Sequence, residues 1–251
     1  MGVNMQGRIG MYHYLTFVLL TLLFCTSLAV TAFGGQLEDG QAAYERSDYA
    51  TAYRLWKPMA QQGDAIAQNN LGVMYYYGQG VRHYYTEALK WLRRAAEQGL
   101  PAAQFNLGLM YANGQGVPQD YAEAVKWYQK AAQQGYAEAQ SNIGFMYDQG
   151  RGVPQDYAEA VKWYRRSAEQ GHATAQKNLG VMYYYGQGVP QDYIPAHMWF
   201  NLASWRFPAS NRKDREDAET MRDLVASKMT PAQVAEAQRL AREWKPKKEA
   251  R

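Results

Sequence analysis

Apolar residues recur along most of the chain at the spacing of an amphipathic α-helix. In one representative stretch, Ala103, Leu107, Met110 and Tyr111 stand at i, i+4, i+7 and i+8. This spacing places the four side chains on one helical face. A second stripe follows after a short polar segment and consists of Ala124, Trp127, Tyr128 and Ala131. The pattern therefore predicts pairs of helices, each with one buried face.

Glycine and aspartate mark the boundaries of these predicted helices. Gly114 follows the first stripe, where glycine can adopt the left-handed conformation that ends a helix, and Gly116 allows a sharp turn. Asp120 precedes the second stripe, and its carboxylate can cap the first turn with Glu123 completing a capping box. The same arrangement recurs later in the chain at Asp156 and Glu159.

The helix pair is one copy of a 36-residue repeat. The first half contains the pattern N-[LI]-G-x-M-Y-x-x-G-x-G-V, which starts at Asn70, Asn106, Asn142 and Asn178. The second halves recur in step from Tyr85, Tyr121 and Tyr157, and a shortened copy precedes them. Since no unit can bury its aromatic face alone, the units must stack, and we expect a repeat array over residues 37–207.

Small residues also recur at matched positions of the paired helices. The first helices carry Gly72, Gly108, Gly144 and Gly180, and the second helices carry Ala88, Ala124, Ala160 and Ala196. We expect these residues to let paired helices approach closely, while Tyr and Trp fill the space between units.

The combined pattern A-x-x-x-L-G-x-M-Y-x-x-G-x-G-V-x-x-D-Y-x-x-A-x-x-W-Y-x-x-A-A-x-x-G resembles the Sel-like repeat family, a relative of the tetratricopeptide repeat. The resemblance implies an all-α fold, a right-handed α-solenoid of antiparallel helix pairs whose first helices line a concave surface. It also implies an adaptor role in signalling, envelope assembly or host contact. Departures at Arg82, Tyr84 and Pro195 bear on local helix starts rather than on the fold.

The N-terminal segment, residues 1–32, differs from everything after it. It holds one charge, Arg8, and an apolar run over residues 14–30 that ends in small residues before Phe33. These features predict a secretory signal peptide cleaved before Phe33, and hence a periplasmic or secreted protein. An uncleaved inner-membrane anchor, with the repeats outside the cytoplasm, stays open as the alternative. The only cysteine, Cys25, lies in this segment, so the mature chain would have no disulfide.

Residues 208–244 are predicted to form a helical cap on the array. Three aromatic residues at the end of the last repeat should close the solenoid against it: Trp199, Phe200 and Trp205. A charged helix over residues 211–228 would turn four side chains inward, namely Ala218, Met221, Leu224 and Val225. Thr230 and Gln233 form a capping box for a last helix that runs through Trp244. Residues 245–251 are predicted to be an unstructured basic tail.

Charge and reactive residues argue against nucleic-acid binding and against catalysis. The net charge is only +4, and basic residues alternate with Glu. No two histidines stand at metal-ligand spacing among His13, His83, His172 and His197. Ser167 replaces a repeated Ala and is interpreted as packing. We therefore predict no catalytic residue, no cofactor and no metal.

Candidate binding residues lie on the predicted first helices. The four asparagines that start the repeated segment would form a ladder able to donate to and accept from a bound peptide. Whether they instead bond neighbouring backbone groups and hold the stack stays open. Positions that differ between units include Phe105 and Lys177, together with two tyrosine pairs, Tyr76–Tyr77 and Tyr184–Tyr185. Tyrosine is frequent at binding hot spots but also packs between repeats.

The sequence thus predicts an exported scaffold that holds an extended segment of another protein in the concave groove. Nucleic acid is not expected as a partner, nor membrane beyond the N-terminal segment. An envelope protein that binds glycan or peptidoglycan is the alternative, and a wall-directed hydrolase is a further one.

Overall fold

The computed structural model describes residues 35–247. Over these residues the chain forms helices joined by turns and no strand. It divides after Tyr84 into two compact units. The predicted signal peptide, residues 1–32, lies outside the described residues. None of the described helices combines the length and the apolar character needed to cross a lipid bilayer.

The first unit contains helix α1 (residues 35–45), α2 (Tyr49–Gln61) and α3 (Ala65–Tyr77). Trp56 of α2 is fully buried and lies against the ring of Tyr44, with 5.6 Å between ring centres. The turn from α1 to α2 is short and passes through Ser47, which has a left-handed φ of 61°. Helices α1 and α2 lie within the predicted shortened copy of the repeat, and α3 carries the repeated segment that starts at Asn70.

The second unit is a run of helices that pack in chain order. Their bounds are α4 (Tyr85–Glu97), α5 (Pro101–Asn113), α6 (Tyr121–Gln133), α7 (Ala137–Gln149), α8 (Tyr157–Glu169), α9 (Ala173–Tyr185), α10 (Tyr193–Arg206), α11 (Arg212–Ala226) and α12 (Pro231–Glu243). Each helix from α4 to α10 packs on the next, and α11 and α12 both pack on α10. The predicted all-α solenoid of helix pairs is therefore confirmed.

Helix α5 ends at Gly114 and α6 begins after Asp120 as predicted, but the capping boxes predicted at Asp120 and at Asp156 are both incomplete. Gly114 ends α5 with a left-handed φ of 66°, and the Asp120 carboxylate accepts the Glu123 N–H at 2.9 Å. The reciprocal half of the capping box is absent, because the Asp120 N–H donates to the Tyr111 carbonyl at 2.9 Å. The Glu123 carboxylate instead pairs with Lys126 at 2.8 Å.

The sequence departures from the repeat do not move the helix starts. Helix α4 begins at Tyr85 although Tyr84 replaces the capping aspartate, and α10 begins at Tyr193 although Pro195 lies in its first turn. Proline is tolerated there because the first-turn N–H groups have no partner within the helix.

The repeated glycines on the first helices face aromatic rings. A Cβ atom at Gly108 would stand 2.6 Å from the Tyr128 ring, and one at Gly144 would stand 2.6 Å from the ring of Tyr164. The carbonyl oxygen of Ala124 would lie 3.3 Å from a Cβ atom at Gly108. The glycine thus lets the first helix lie close to the second, as predicted, and the aromatic ring four residues after the matched alanine fills the space beside it.

The second glycine of each turn allows contact with the preceding repeat. Gly116 has a left-handed φ of 73°, and a Cβ atom there would lie 2.9 Å from the carbonyl oxygen of Tyr85. Gln115 donates to the Tyr85 hydroxyl at 3.1 Å in the same joint. The invariant turn thus serves the stacking of units as well as the reversal of the chain.

Buried glutamines on the first helices link the repeats by hydrogen bonds. The amide of Gln140 donates to the Ala132 carbonyl at 3.2 Å and accepts from Gln170 at 2.8 Å. Gln104 is held in the same way by Ala96 and Gln134. Because a buried amide needs both kinds of partner, these bonds fix how consecutive helices dock.

At the C-terminal end, Phe200 is completely buried and Trp199 nearly so, as predicted. Trp205 is 57% exposed, so the prediction that it closes the solenoid is wrong. Leu224 is 43% exposed and does not face inward, whereas Ala218 and Val225 are buried. Phe207, just past the end of α10, packs with Ala203 and Ala218.

The last helix begins as the sequence predicts and ends at Glu243, one residue before the predicted end, and the residues after it contact the array. Thr230 and Gln233 form the complete capping box, and Trp244 follows the end of α12. Trp244 packs edge-on against Trp199, with 6.2 Å between ring centres. The Lys247 N–H donates to the Glu169 carbonyl at 2.8 Å, so the predicted unstructured tail is wrong at this residue.

Candidate partner-binding surface

The four predicted asparagines occupy the same place on α3, α5, α7 and α9, and all are partly buried. In the first unit Asn70 accepts a hydrogen bond from Asn69 at 3.3 Å. In the second unit Asn178 donates to the Tyr164 hydroxyl of the preceding helix. Asn142 lines a surface cavity. Asn70 and Asn178 therefore contact different groups, and the contact of Asn178 joins two neighbouring helices.

The phenol of Tyr164 joins three neighbouring elements of the second unit. Its hydroxyl lies 3.4 Å from the Asp148 carboxylate, to which it donates, and it also accepts from Asn178. Burial raises the pKa of Tyr164 far above its ordinary value, and the Asp148 charge adds to the rise. The Tyr164 hydroxyl therefore stays protonated and neutral, and it contributes to packing between the helices as a hydrogen-bond donor.

The two predicted tyrosine pairs have the same geometry. The rings of Tyr76 and Tyr77 pack edge-on at 4.8 Å, and so do those of Tyr184 and Tyr185. The outer ring is exposed in each pair, by 66% for Tyr77 and 61% for Tyr185. Each pair lies at the end of a first helix in a different unit, and each exposes an apolar face with a polar tip.

Phe105 and Lys177 both have partners inside the second unit. Phe105 packs on Tyr128 and Tyr136, with ring centres 5.8 and 5.4 Å apart. Lys177 forms an ion pair with Asp214 of α11, and this contact holds the pKa of Asp214 below its ordinary value. The positive charge of Lys177 is therefore used to attach the C-terminal helices.

A cavity of about 220 Å³ lies at the surface of α5 and α7. Its wall includes Leu109, Asn113, Tyr121, Asn142, Phe145 and Arg151. The Arg151 guanidinium lies 5.2 Å from the ring centre of Phe145 and 5.5 Å from that of Tyr121. The cavity thus combines amide groups, apolar walls and one cation.

Comparison with protein families identifies the repeat. The Sel1 repeat profile matches residues 35–64, 65–100, 101–136, 137–172 and 173–204. The chain belongs to the Sel1 repeat family. No curated protein matches its sequence. The predicted domain boundaries at residues 37, 207 and 244 stay predictions.

Solved structures place this Sel1 repeat chain among similar solenoids. It is 33% identical to c5321, a protective antigen present in uropathogenic Escherichia coli strains that displays an SLR fold, with a TM-score of 0.70. The match covers 84% of this chain but 46% of that one, so this chain spans about half the length of the antigen. A Sel1 repeat protein from Oxalobacter formigenes is 31% identical with a TM-score of 0.69, and the match covers 83% and 82% of the two chains.

Three side chains that could carry chemistry, Ser167, His172 and His197, are buried or bonded to the backbone in this Sel1 repeat chain. Ser167 is fully buried and its hydroxyl donates to the Ala137 carbonyl at 2.7 Å. The His172 imidazole accepts the Ala175 N–H at 3.3 Å and caps α9. His197 is buried between α10 and α11. Residues 35–247 contain no cluster of three His, Cys, Asp or Glu side chains suited to a metal.

Arg151 and Phe145 are absent from the residues that sequence reasoning selects. Both lie within the repeated segment that starts at Asn142, where the other copies carry glutamine and an aliphatic residue. The departures are visible in the aligned repeats. That the two side chains touch follows only from the fold, because they lie on either side of the glycine that ends α7.

Proposed function

We propose that this Sel1 repeat chain is an exported scaffold that binds an extended segment of a partner protein in the concave groove lined by its first helices. The observation that carries the proposal is the cavity on α5 and α7, which places the Asn142 amide beside apolar and aromatic walls. Such a mixture of a few polar groups with apolar surface is typical of sites that orient a ligand. Membership of the Sel1 family supports protein binding in general.

Two exposed tyrosines also support binding by the first helices. The outer rings of Tyr77 and Tyr185 are exposed at the ends of α3 and α9. A tyrosine offers large, rigid contact area at a small cost in conformational entropy. Export rests on the sequence of residues 1–32 alone, and amino-terminal sequencing of the mature protein, expected to begin at Phe33, tests it.

The binding experiment starts with crosslinking in the native envelope and mass spectrometry of the linked products. A partner protein linked through α5 or α7 is the expected result. Recovery of carbohydrate without protein would instead support the glycan-binding alternative and overturn the proposal.

Variants then test the surface itself. Asn142→Ala together with Asn106→Ala should abolish binding of the crosslinked partner while the circular dichroism spectrum stays unchanged. Asn178→Ala is the matched comparison, because its side chain bonds the buried Tyr164 of the neighbouring helix. Unfolding of the double variant would show that the asparagines hold the stack and do not bind.

A further inference from the structure

Two departures from the repeat meet at the end of α7. Where Arg151 stands, the other repeats carry Gln79, Gln115 and Gln187; where Phe145 stands, they carry Val73, Leu109 and Val181. The Arg151 guanidinium lies 5.2 Å from the centre of the Phe145 ring. The third full repeat therefore carries a cation and an aromatic ring, in contact with each other, that the other repeats lack.

Arg151 does not form the hydrogen bond that Gln115 forms at the equivalent position. Gln115 donates to the hydroxyl of Tyr85 at 3.1 Å and so ties its turn to the preceding repeat. Arg151 instead lies over the face of the equivalent ring, Tyr121, at 5.5 Å. Its side chain is exposed and forms no ion pair with any residue from 35 to 247.

Asp148, the acidic residue of α7 that is nearest to Arg151 in the sequence, already accepts two hydrogen bonds. The Asp148 carboxylate accepts the Tyr164 hydroxyl and the Gln149 amide, at 3.4 and 3.3 Å. The guanidinium is therefore held by two aromatic faces at the rim of the cavity with its charge unpaired. Such stacking orients the planar donor group, and a guanidinium binds carboxylate with paired N–H groups.

We infer that this cavity binds the side-chain carboxylate of an aspartate or glutamate in the partner's extended segment. Arg151 would pair with the carboxylate, and the walls formed by Phe145 and Leu109 would cover the methylene groups next to it. The volume of about 220 Å³ suits one or two side chains rather than a folded element. This inference rests on the proposed function and specifies the chemistry of the segment.

The test is an array of random peptides with acetylated and amidated ends, probed with the full chain and with Arg151→Gln. This variant installs the residue that the other repeats carry, so its fold should be intact by circular dichroism. We expect peptides that bind the unaltered chain to be enriched in Asp and Glu. Their affinity for Arg151→Gln should fall about tenfold, the effect of one partly buried charged pair. Arg82→Gln, which removes an exposed charge in the first unit, is the matched control and should bind as the unaltered chain does.

The outcomes separate this inference from the proposed function. If no peptide binds, both the binding of extended segments and the carboxylate site are overturned. If peptides bind without acidic preference, or bind Arg151→Gln equally well, only the carboxylate site is overturned. A parallel array with free carboxyl ends identifies the source of the carboxylate, since binding that needs a free end would replace the side chain by the chain terminus.

Discussion

Gly144 lies directly against the ring of Tyr164, and a Cβ atom at residue 144 would stand 2.6 Å from the Cδ1 atom of that ring. Tyr164 is completely buried, so its ring has no free space into which to move. The same relationship holds between Gly180 and Phe200, but with 3.0 Å between the atoms. The glycine therefore sets how closely each first helix approaches its second helix.

Gly144→Ala should lower the free energy of unfolding by about 1–3 kcal/mol, because the added methyl group overpacks a filled interface. The loss should exceed the intrinsic gain in helix propensity from glycine to alanine, about 1 kcal/mol. Urea denaturation followed by circular dichroism measures the change. Gly180→Ala is the matched control and should cost less, since its methyl group meets the ring at a longer distance. Equal effects at the two positions would contradict the distance argument.

The buried glutamines give a second test of how the repeats are joined. Gln140→Leu should cost about 1–2 kcal/mol, because it removes the partner of the Gln170 amide and the donor to the Ala132 carbonyl. Gln176→Leu should cost less, since the Gln176 carbonyl oxygen has no hydrogen-bond partner among residues 35–247. Thermal unfolding of both variants checks the order, and a reversed order would show that the paired amide contributes nothing.

Acidification should weaken the C-terminal part of the second unit through two histidines. Burial lowers the pKa of His197, Arg222 lowers it further, and Asp223 opposes them. Burial also lowers the pKa of His172, against the opposing charge of Glu138. Since the folded chain favours both neutral forms, their contribution is complete above the unfolded pKa of about 6.5 and is lost as the pH falls below it.

The thermal midpoint should therefore fall between pH 7.5 and pH 5.5, a window that avoids most carboxylate titration. His197→Val, which installs the residue found at positions 125 and 161, should reduce this fall. His172→Asn keeps a capping acceptor that does not titrate and should reduce it as well. An unaltered pH profile in both variants would show that neither imidazole is responsible.

Trp244 holds the C-terminal segment on the array. Trp244→Ala should cost about 1–3 kcal/mol, because it removes the packing on Trp199 and the stacking of the Arg206 guanidinium at 4.5 Å. Trp205→Ala is the control of the same residue type at an exposed position and should change stability by less than about 0.5 kcal/mol. Chemical denaturation of the two variants distinguishes them, and a larger loss at residue 205 would contradict the assigned packing.

Most of the fold could be predicted because its signals are local. Periodic apolar positions define the helices, Gly114 and Asp120 mark their ends, and a period of 36 residues requires stacking. Predictions failed where the sequence is compatible with more than one tertiary partner for the same group. Trp205 stays exposed, and the Asp120 N–H bonds the Tyr111 carbonyl instead of the Glu123 carboxylate. Helical periodicity shows that one face of a helix is apolar, but it does not show which neighbouring side chains cover that face.

The candidate surface was harder to predict for the same reason. Repetition separates invariant from variable positions, yet it does not show which variable side chains are already paired. Lys177 is variable but is paired with Asp214, which lies far along the chain. Arg151 is variable and unpaired, and its contact with Phe145 depends on the path of the turn. Only the folded arrangement distinguishes these two cations.

The hydrogen bonds of Gln140 also bear on how this protein can change its length in evolution. The internal repeats share one kind of joint, so duplication or loss of a whole internal unit recreates bonds that already exist. At the last repeat, Arg206 stands where the others carry Gln134 and Gln170, and it stacks on Trp244 instead. A new unit added after the last repeat would lack the glutamine that joins the internal repeats, and it would have to displace the segment that holds Trp244. We therefore expect the last repeat and its cap to be inherited as one block, with growth confined to the interior of the array.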